Sequence, residues 1–181
     1  MLYYRHMEKR IISPQSKFWA TKFGDEYTDR NPQSHQELDV FYKKSFGITR
    51  KAMNKEFLKN LNKNLKVLEI GANIGLQLET LRQMGFKNLL GIDINKYAVE
   101  RAKSLHPKVD IIHGSAFELP FKDASFDIVF TSGVLIHIAP KDLSIIQKEI
   151  FRVSKKCIWG FEYFSEKPQE VVYRRNKDKL W

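Results

Sequence analysis

Five short runs, rich in β-branched and aromatic residues, recur between residues 66 and 164: KVLEIG (66–71), NLLGID (88–93), VDIIHG (109–114), FDIVFTSG (126–133) and CIWGFEYF (157–164). Between most of them lie segments whose apolar residues repeat at helical spacing, over 75–84, 96–106 and 140–154, while a polar loop joins the third run to the fourth. Strands that alternate with helices in this way bury their apolar surfaces as a parallel sheet covered on both faces, with right-handed crossovers. The expected fold is therefore α/β, a doubly wound, mostly parallel Rossmann-like sheet of about five strands. Upstream, Leu38, Phe41, Tyr42, Phe46, Met53, Phe57, Leu58 and Leu61 predict two helices within 36–64, separated at Gly47. Three segments follow: an N-terminal helical or lid segment packed on the core (1–64), a Rossmann-like core (65–164) and an extended basic tail (165–181).

The composition suits one soluble globular domain, with 43% hydrophobic and 29% charged residues in 181. No apolar run is long enough to span a bilayer, and the N-terminus carries no signal-peptide pattern, so no membrane association is expected. A single cysteine, Cys157, agrees with a reducing, cytoplasmic setting. The net charge of +10 attracts anionic groups, on a small substrate or on nucleic acid, although the basic residues are dispersed rather than clustered.

The turn after the first strand, GANIG (71–75), resolves which nucleotide such a fold would take. A dinucleotide loop follows G-x-G-x-x-G, its glycines admitting a pyrophosphate. Here Gly71 and Gly75 are spaced G-x-x-x-G, Asn73 holds the central position and Leu76 the third glycine's place. Glu69 adds negative charge at the strand end, which disfavours two phosphates and favours an amino group or sulfonium. Asp93, eighteen positions beyond Gly75, ends the second strand, where a carboxylate accepts from both ribose hydroxyls. Ser115, Ala116 and Phe117, in the turn after the third strand, are candidates for the adenine edge. An adenosine without pyrophosphate points to S-adenosylmethionine.

With these blocks in order, residues 66–138 resemble a class I S-adenosylmethionine-dependent methyltransferase: VLEIGANIG at its glycine motif, GIDIN at its ribose motif and GSAFELPFKDASFDIVFTSGVLIHI across its adenine and fourth-strand motifs. FWATKFGDEYTDRN (18–31), GVLIHI and EYFSEKPQEVVYRRNKDKLW (162–181) bring the resemblance closest to the pseudaminic-acid-biosynthesis-associated methylases, small enzymes linked to nonulosonic-acid sugar pathways. That resemblance implies methyl transfer to an oxygen or nitrogen of a carbohydrate or nucleotide-linked sugar, an anionic small-molecule acceptor. An RNA methyltransferase and a non-catalytic cofactor-binding protein are the alternatives. Two departures accompany it. Ser115 stands where many such enzymes have an acidic residue, and the chain lacks room past the fifth strand for the usual helix and C-terminal hairpin. An uncovered sheet edge of that kind invites a homodimer.

Candidate cofactor-binding residues are Glu69, Gly71, Ala72, Asn73, Gly75, Asp93, Ile94, Ser115, Ala116, Phe117, Thr131 and Ser132. Asn73 tolerates positive φ, either as a simple turn former or with its amide reaching the cofactor's amino-acid end. His137, Tyr163 and Glu162 are candidate general bases for a hydroxyl acceptor; His137 is equally readable as a histidine satisfied by packing. Trp19, Phe23, Tyr27 and Arg30 suit a lid over the cofactor or plain helix packing. Tyr27, Arg30, Tyr173 and Arg174 are candidate acceptor-binding residues, the arginine for a carboxylate or phosphate. The histidines and Cys157 show no metal-ligand spacing, so no metal is expected.

Overall fold

The structure, a computed structural model, describes residues 13–167, 170–173 and 176–180. Local chemistry starts the helices. Ser13 caps α1 (Pro14–Trp19), Ser34 caps α3 (His35–Phe46) and Thr49 caps α4 (Arg50–Leu58), each accepting a main-chain amide from the first turn. A further helix, α2 (Lys22–Arg30), completes the N-terminal layer. Gly47 ends α3 in the left-handed conformation, φ 73°, producing the break expected there.

From Lys66 the chain alternates as anticipated: β1 (Lys66–Ile70), α5 (Leu76–Gln83), β2 (Asn88–Asp93), α6 (Lys96–Leu105), β3 (Asp110–His113), β4 (Phe126–Ser132), a 3-10 turn at Leu135–His137, α7 (Pro140–Val153) and β5 (Ser154–Phe161). The five strands form one parallel sheet in the order β3-β2-β1-β4-β5. The chain steps outward from β1 to β3, then returns to β1's other side. Strand order thus reverses between β1 and β4, where open α/β sheets bind ligands beyond their carboxyl ends.

Alternating residues of β1 feed two cores. Val67 joins Leu78, Leu81, Val99, Ile128 and Phe130 under the helices from α3 to α6. Leu68 and Ile70 join Val129, Ile146, Ile150 and Val153 under α7 and the loop between β3 and β4. β5 begins three residues earlier than its apolar run suggests, because Ser154 pairs directly with Phe126 across an irregularity in register. As the edge strand it is largely exposed, Ile158 to 50%. The tail holds a small antiparallel hairpin, β6 (Val171–Tyr173) with β7 (Asn176–Leu180), separate from the main sheet. The main sheet ends at β5, and β7 lies beside the 3-10 turn.

Arg152 on α7 fastens the loop between β3 and β4. Its guanidinium donates to the carbonyls of Phe121 (2.6 Å) and Leu119 (3.0 Å) and to both carboxylate oxygens of Glu149, which in turn accepts from the Leu119 amide. Replacing Arg152 by Met should destabilise the fold by about 3 kcal/mol, since charged hydrogen bonds are lost and the half-buried Glu149 loses the guanidinium that offsets its charge. Arg152→Lys should recover only part of that loss, having no planar fork to divide among four acceptors. Denaturant unfolding of the two variants measures both effects.

Candidate active site

The carboxyl ends of β1, β2 and β4 open into a cavity of about 270 Å³, roofed by α1, α2 and α3. Gly71 and Gly75 take φ of 72° and 80°, and Asn73 between them takes φ 48°, so the asparagine does adopt the left-handed shape of the missing glycine. A Cβ on Gly71 would stand 2.5 Å from the Val134 side chain, so the turn after β1 presses directly on the turn after β4.

The Asn73 side chain is spent within the fold. Its Oδ1 accepts from the Ile74 amide (2.8 Å) and its Nδ2 donates to the buried Thr28 hydroxyl (3.1 Å), which ties α2 to the glycine turn. Asn95 provides a second tie. It caps α6 through Oδ1 while its Nδ2 donates to the Trp19 carbonyl (3.0 Å) and to Asp25 (2.8 Å). Gly24 allows this approach, since a Cβ there would lie 1.9 Å from the Trp19 carbonyl oxygen. Trp19 then reaches over the cavity to the His137 ring, their centroids 4.2 Å apart.

At one end of the cavity Asp93 is buried, its two oxygens accepting from the amides of Asn73 and Asn95, each at 2.7 Å. Burial raises its carboxyl above the usual range, and those amides oppose the rise. Ile94, Ser115, Ala116 and Phe117 line the same end, with the Ser115 hydroxyl accepting from the Phe117 amide at 3.2 Å. Glu69, also on the wall, is 2% exposed and its Oε2 has no partner. Burial pushes its carboxyl well up, with the positive charge of Arg50 opposing. Gly71, Ala72, Asn73, Ser132, Tyr27 and His137 complete the expected residues on the wall.

Other candidates lie elsewhere. Gly75 and Thr131 stand behind the wall, Gly75 as the left-handed entry to α5. Glu162 accepts from the amides of Val134 and Leu135, both at 3.1 Å, and so braces the turn after β4 rather than facing the cavity. Tyr163 is 71% exposed outside it. Arg30 stacks on Phe23 and Tyr27 from beyond the wall. Tyr173 belongs to β6, and Arg174 lies outside the described residues. Arg50 escaped the sequence reading, being one of 31 basic residues with no motif around it. Asn95 had a legible signal as a cap before α6, but nothing revealed its grip on the roof.

These residues fit S-adenosylmethionine: a carboxylate for the ribose, a glycine turn with no side chain at its first position, and a buried acceptor still open at Glu69. Because folding raises the Glu69 pKa, the group favours the folded state at low pH, and that contribution is lost as pH rises through the elevated value. Glu69→Gln abolishes this titration. In thermal melts without ligand, the variant should gain on the wild type towards alkaline pH and lose that advantage on acidification. Parallel pH profiles would contradict the assignment.

Comparison with known proteins agrees with this geometry. Residues 68–157 match the family described as a methyltransferase domain. Sterol 24-C-methyltransferase erg6 of Aspergillus fumigatus is 33% identical over 101 residues, 52% of this chain and 26% of that protein. The chain spans about a quarter to a third of the length of the curated sterol methyltransferases it matches. Among solved structures, the PH0226 protein of Pyrococcus horikoshii OT3 shares the fold with a TM-score of 0.61, at 23% identity over 75% of this chain and 65% of that one. A SAM-dependent methyltransferase of Methanosarcina mazei is 30% identical, with a TM-score of 0.52 over 55% of this chain and 52% of its own. Over residues 68–157 the chain thus matches a methyltransferase domain, and the cofactor that this similarity implies is S-adenosylmethionine.

Proposed function

We propose that the chain transfers a methyl group to an oxygen or nitrogen of a small anionic acceptor, a carbohydrate or nucleotide-linked sugar of the nonulosonic-acid type, in the cytoplasm. The observation that carries the methyl-transfer assignment is one cavity lined by two buried carboxylates, Asp93 and Glu69, and by the glycine turn. The excess of 31 basic over 21 acidic residues supports an anionic acceptor.

S-adenosylmethionine, when bound, supplies a methyl on a sulfonium, an electrophile that needs no further activation. Asp93 accepts from the ribose hydroxyls, while Ser115, Ala116 and Phe117 border the adenine. Gly71, Ala72, Asn73 and Ile94 shape the wall between them, and Glu69 with Ser132 takes the amino-acid end. The segment 1–64 acts as the roof, where Trp19 and Tyr27 exclude water and align the acceptor. His137 holds the acceptor's proton as general base, its ring set by the Trp19 face. Glu162, Thr131 and Gly75 support the surrounding turns. Arg30 meets an acceptor approaching from the roof side, and the exposed β5 edge serves a homodimer.

A second reading is an apolar acceptor. Trp19, Leu38, Phe41, Tyr42, Val134 and Ile138 give the roof side of the cavity a largely apolar wall, and sterol methyltransferases are among the similar proteins. Methyl transfer from labelled cofactor into sugar-nucleotide, lipid and RNA pools separates these acceptors; label appearing in sterol-like lipids or RNA alone would displace the sugar assignment.

Calorimetry with S-adenosylmethionine should show binding to the wild type. Asp93→Ala should weaken it by about 1.5–3 kcal/mol for each ribose hydrogen bond lost. Unaltered affinity in a folded Asp93→Ala would remove Asp93 from the ribose site.

A further inference from the structure

Beyond β5 the main sheet has no further strand among the described residues, so one row of its main-chain groups is left without a ladder partner. Monomeric proteins blunt such an edge with charges or proline. Here the charges stand only at its ends, Lys155 and Lys156 at the start and Glu162 just past the finish, and residues 157–161 between them carry none. The tail does not cover the edge, since its hairpin is a separate sheet and β7 lies beside the 3-10 turn.

Behind the edge runs a groove of about 640 Å³ between β5 and α7. Its helix wall carries Ser144, Gln147, Lys148 and Phe151, spaced i, i+3, i+4, i+7, so one face of α7 is turned towards the edge. Ile158 and Gly160 stand on the strand side. Phe151 is 75% exposed and Ile158 50%, two large apolar side chains left in water on adjoining elements. A Cβ on Gly160 would meet nothing nearer than 3.7 Å, so the glycine leaves space in the groove and serves no tight contact.

A second copy of the same strand and helix would complete the ladder and fill the groove together. Antiparallel pairing of two β5 edges about a twofold axis sets the lysine end of each strand against the glutamate end of the other. It also keeps both α7 helices on one face of the joined sheet. Because α7 packs over β4 and β5, its two copies would stand two strand spacings apart, about 10 Å. That is the distance at which helices pack, and the row bearing Phe151 then meets its own image across the seam.

We propose that the groove between α7 and β5 is the seat of a second copy of this chain, which joins the two five-stranded sheets edge to edge and buries Phe151 and Ile158. The seat rests on the homodimer reading and gives it a geometry; it is independent of cofactor and acceptor.

Sedimentation of the full chain at micromolar concentrations should show a dimer. Phe151→Ser, which removes the anchor, and Gly160→Ile, which fills the groove, should each raise its dissociation constant at least roughly tenfold. Neither residue lies on the cavity wall, and circular dichroism should show both variants folded. A short bismaleimide should link two wild-type chains through Cys157, the one cysteine of the sequence, exposed on the same strand, and should fail to do so in either variant. A wild type that stays monomeric would overturn the seat and the homodimer together. A dimer that neither substitution weakens and that Cys157 does not link would overturn the seat alone and put the twofold interface elsewhere. Should both variants not fold, the wild-type cross-link decides.

Discussion

Asp93 accepts two main-chain amides at once, from Asn73 in the turn after β1 and from Asn95 at the start of α6, each at 2.7 Å. One carboxylate thereby sets two loops against each other, and nearly everything around the cavity inherits that alignment. The turn it holds at Asn73 keeps the glycine loop in its left-handed shape. The turn it holds at Asn95 presents an amide that reaches the roof. Isolated burial would make the carboxylate costly; the paired amides offset much of that cost and fix its direction. The carboxylate is therefore fixed in place by the protein's own main chain.

The buried charges around the site are satisfied differently. Asp93 is satisfied on each oxygen by the protein, whereas Glu69 keeps an oxygen open and Arg50 keeps two nitrogens open. Strain of this electrostatic kind is tolerable because the cores on both faces of β1 are well filled, with Leu78 on one side and Leu68 on the other fully buried. Asp93 is organised by the sheet and its loops. Arg50, on α4, draws on rings of α3 and β5, so its setting depends on the whole molecule being assembled.

The sheet was legible because five apolar runs and helix-length spacers permit few other arrangements, and each expected strand is present within a few residues. That Glu69 and Asp93 face one cavity was legible as well, since both stand at the carboxyl ends of neighbouring strands. Asn73 was half legible: its tolerance of positive φ follows from residue type, but its hydrogen bond to Thr28 joins positions 45 residues apart. The bracing role of Glu162 was not legible, because a carboxylate after a strand gives no hint that two amides of another turn will occupy it. Arg50 gave no signal, for its significance comes from three rings contributed by α3 and β5. Local pattern reports what neighbours in sequence do, and these groups act through neighbours in space.

The tie between Asn95 and the roof has an evolutionary corollary. Asn95 grips the carbonyl of Trp19, a main-chain atom that every residue type possesses, and the close seat of α2 needs only the absence of a side chain at Gly24. Side chains along α1 and α2 other than Asp25 and Thr28, which hold Asn95 and Asn73, can consequently be exchanged without unseating the segment that carries them. Acceptor preference is free to drift among descendants of one scaffold while the cofactor chamber beneath stays unchanged.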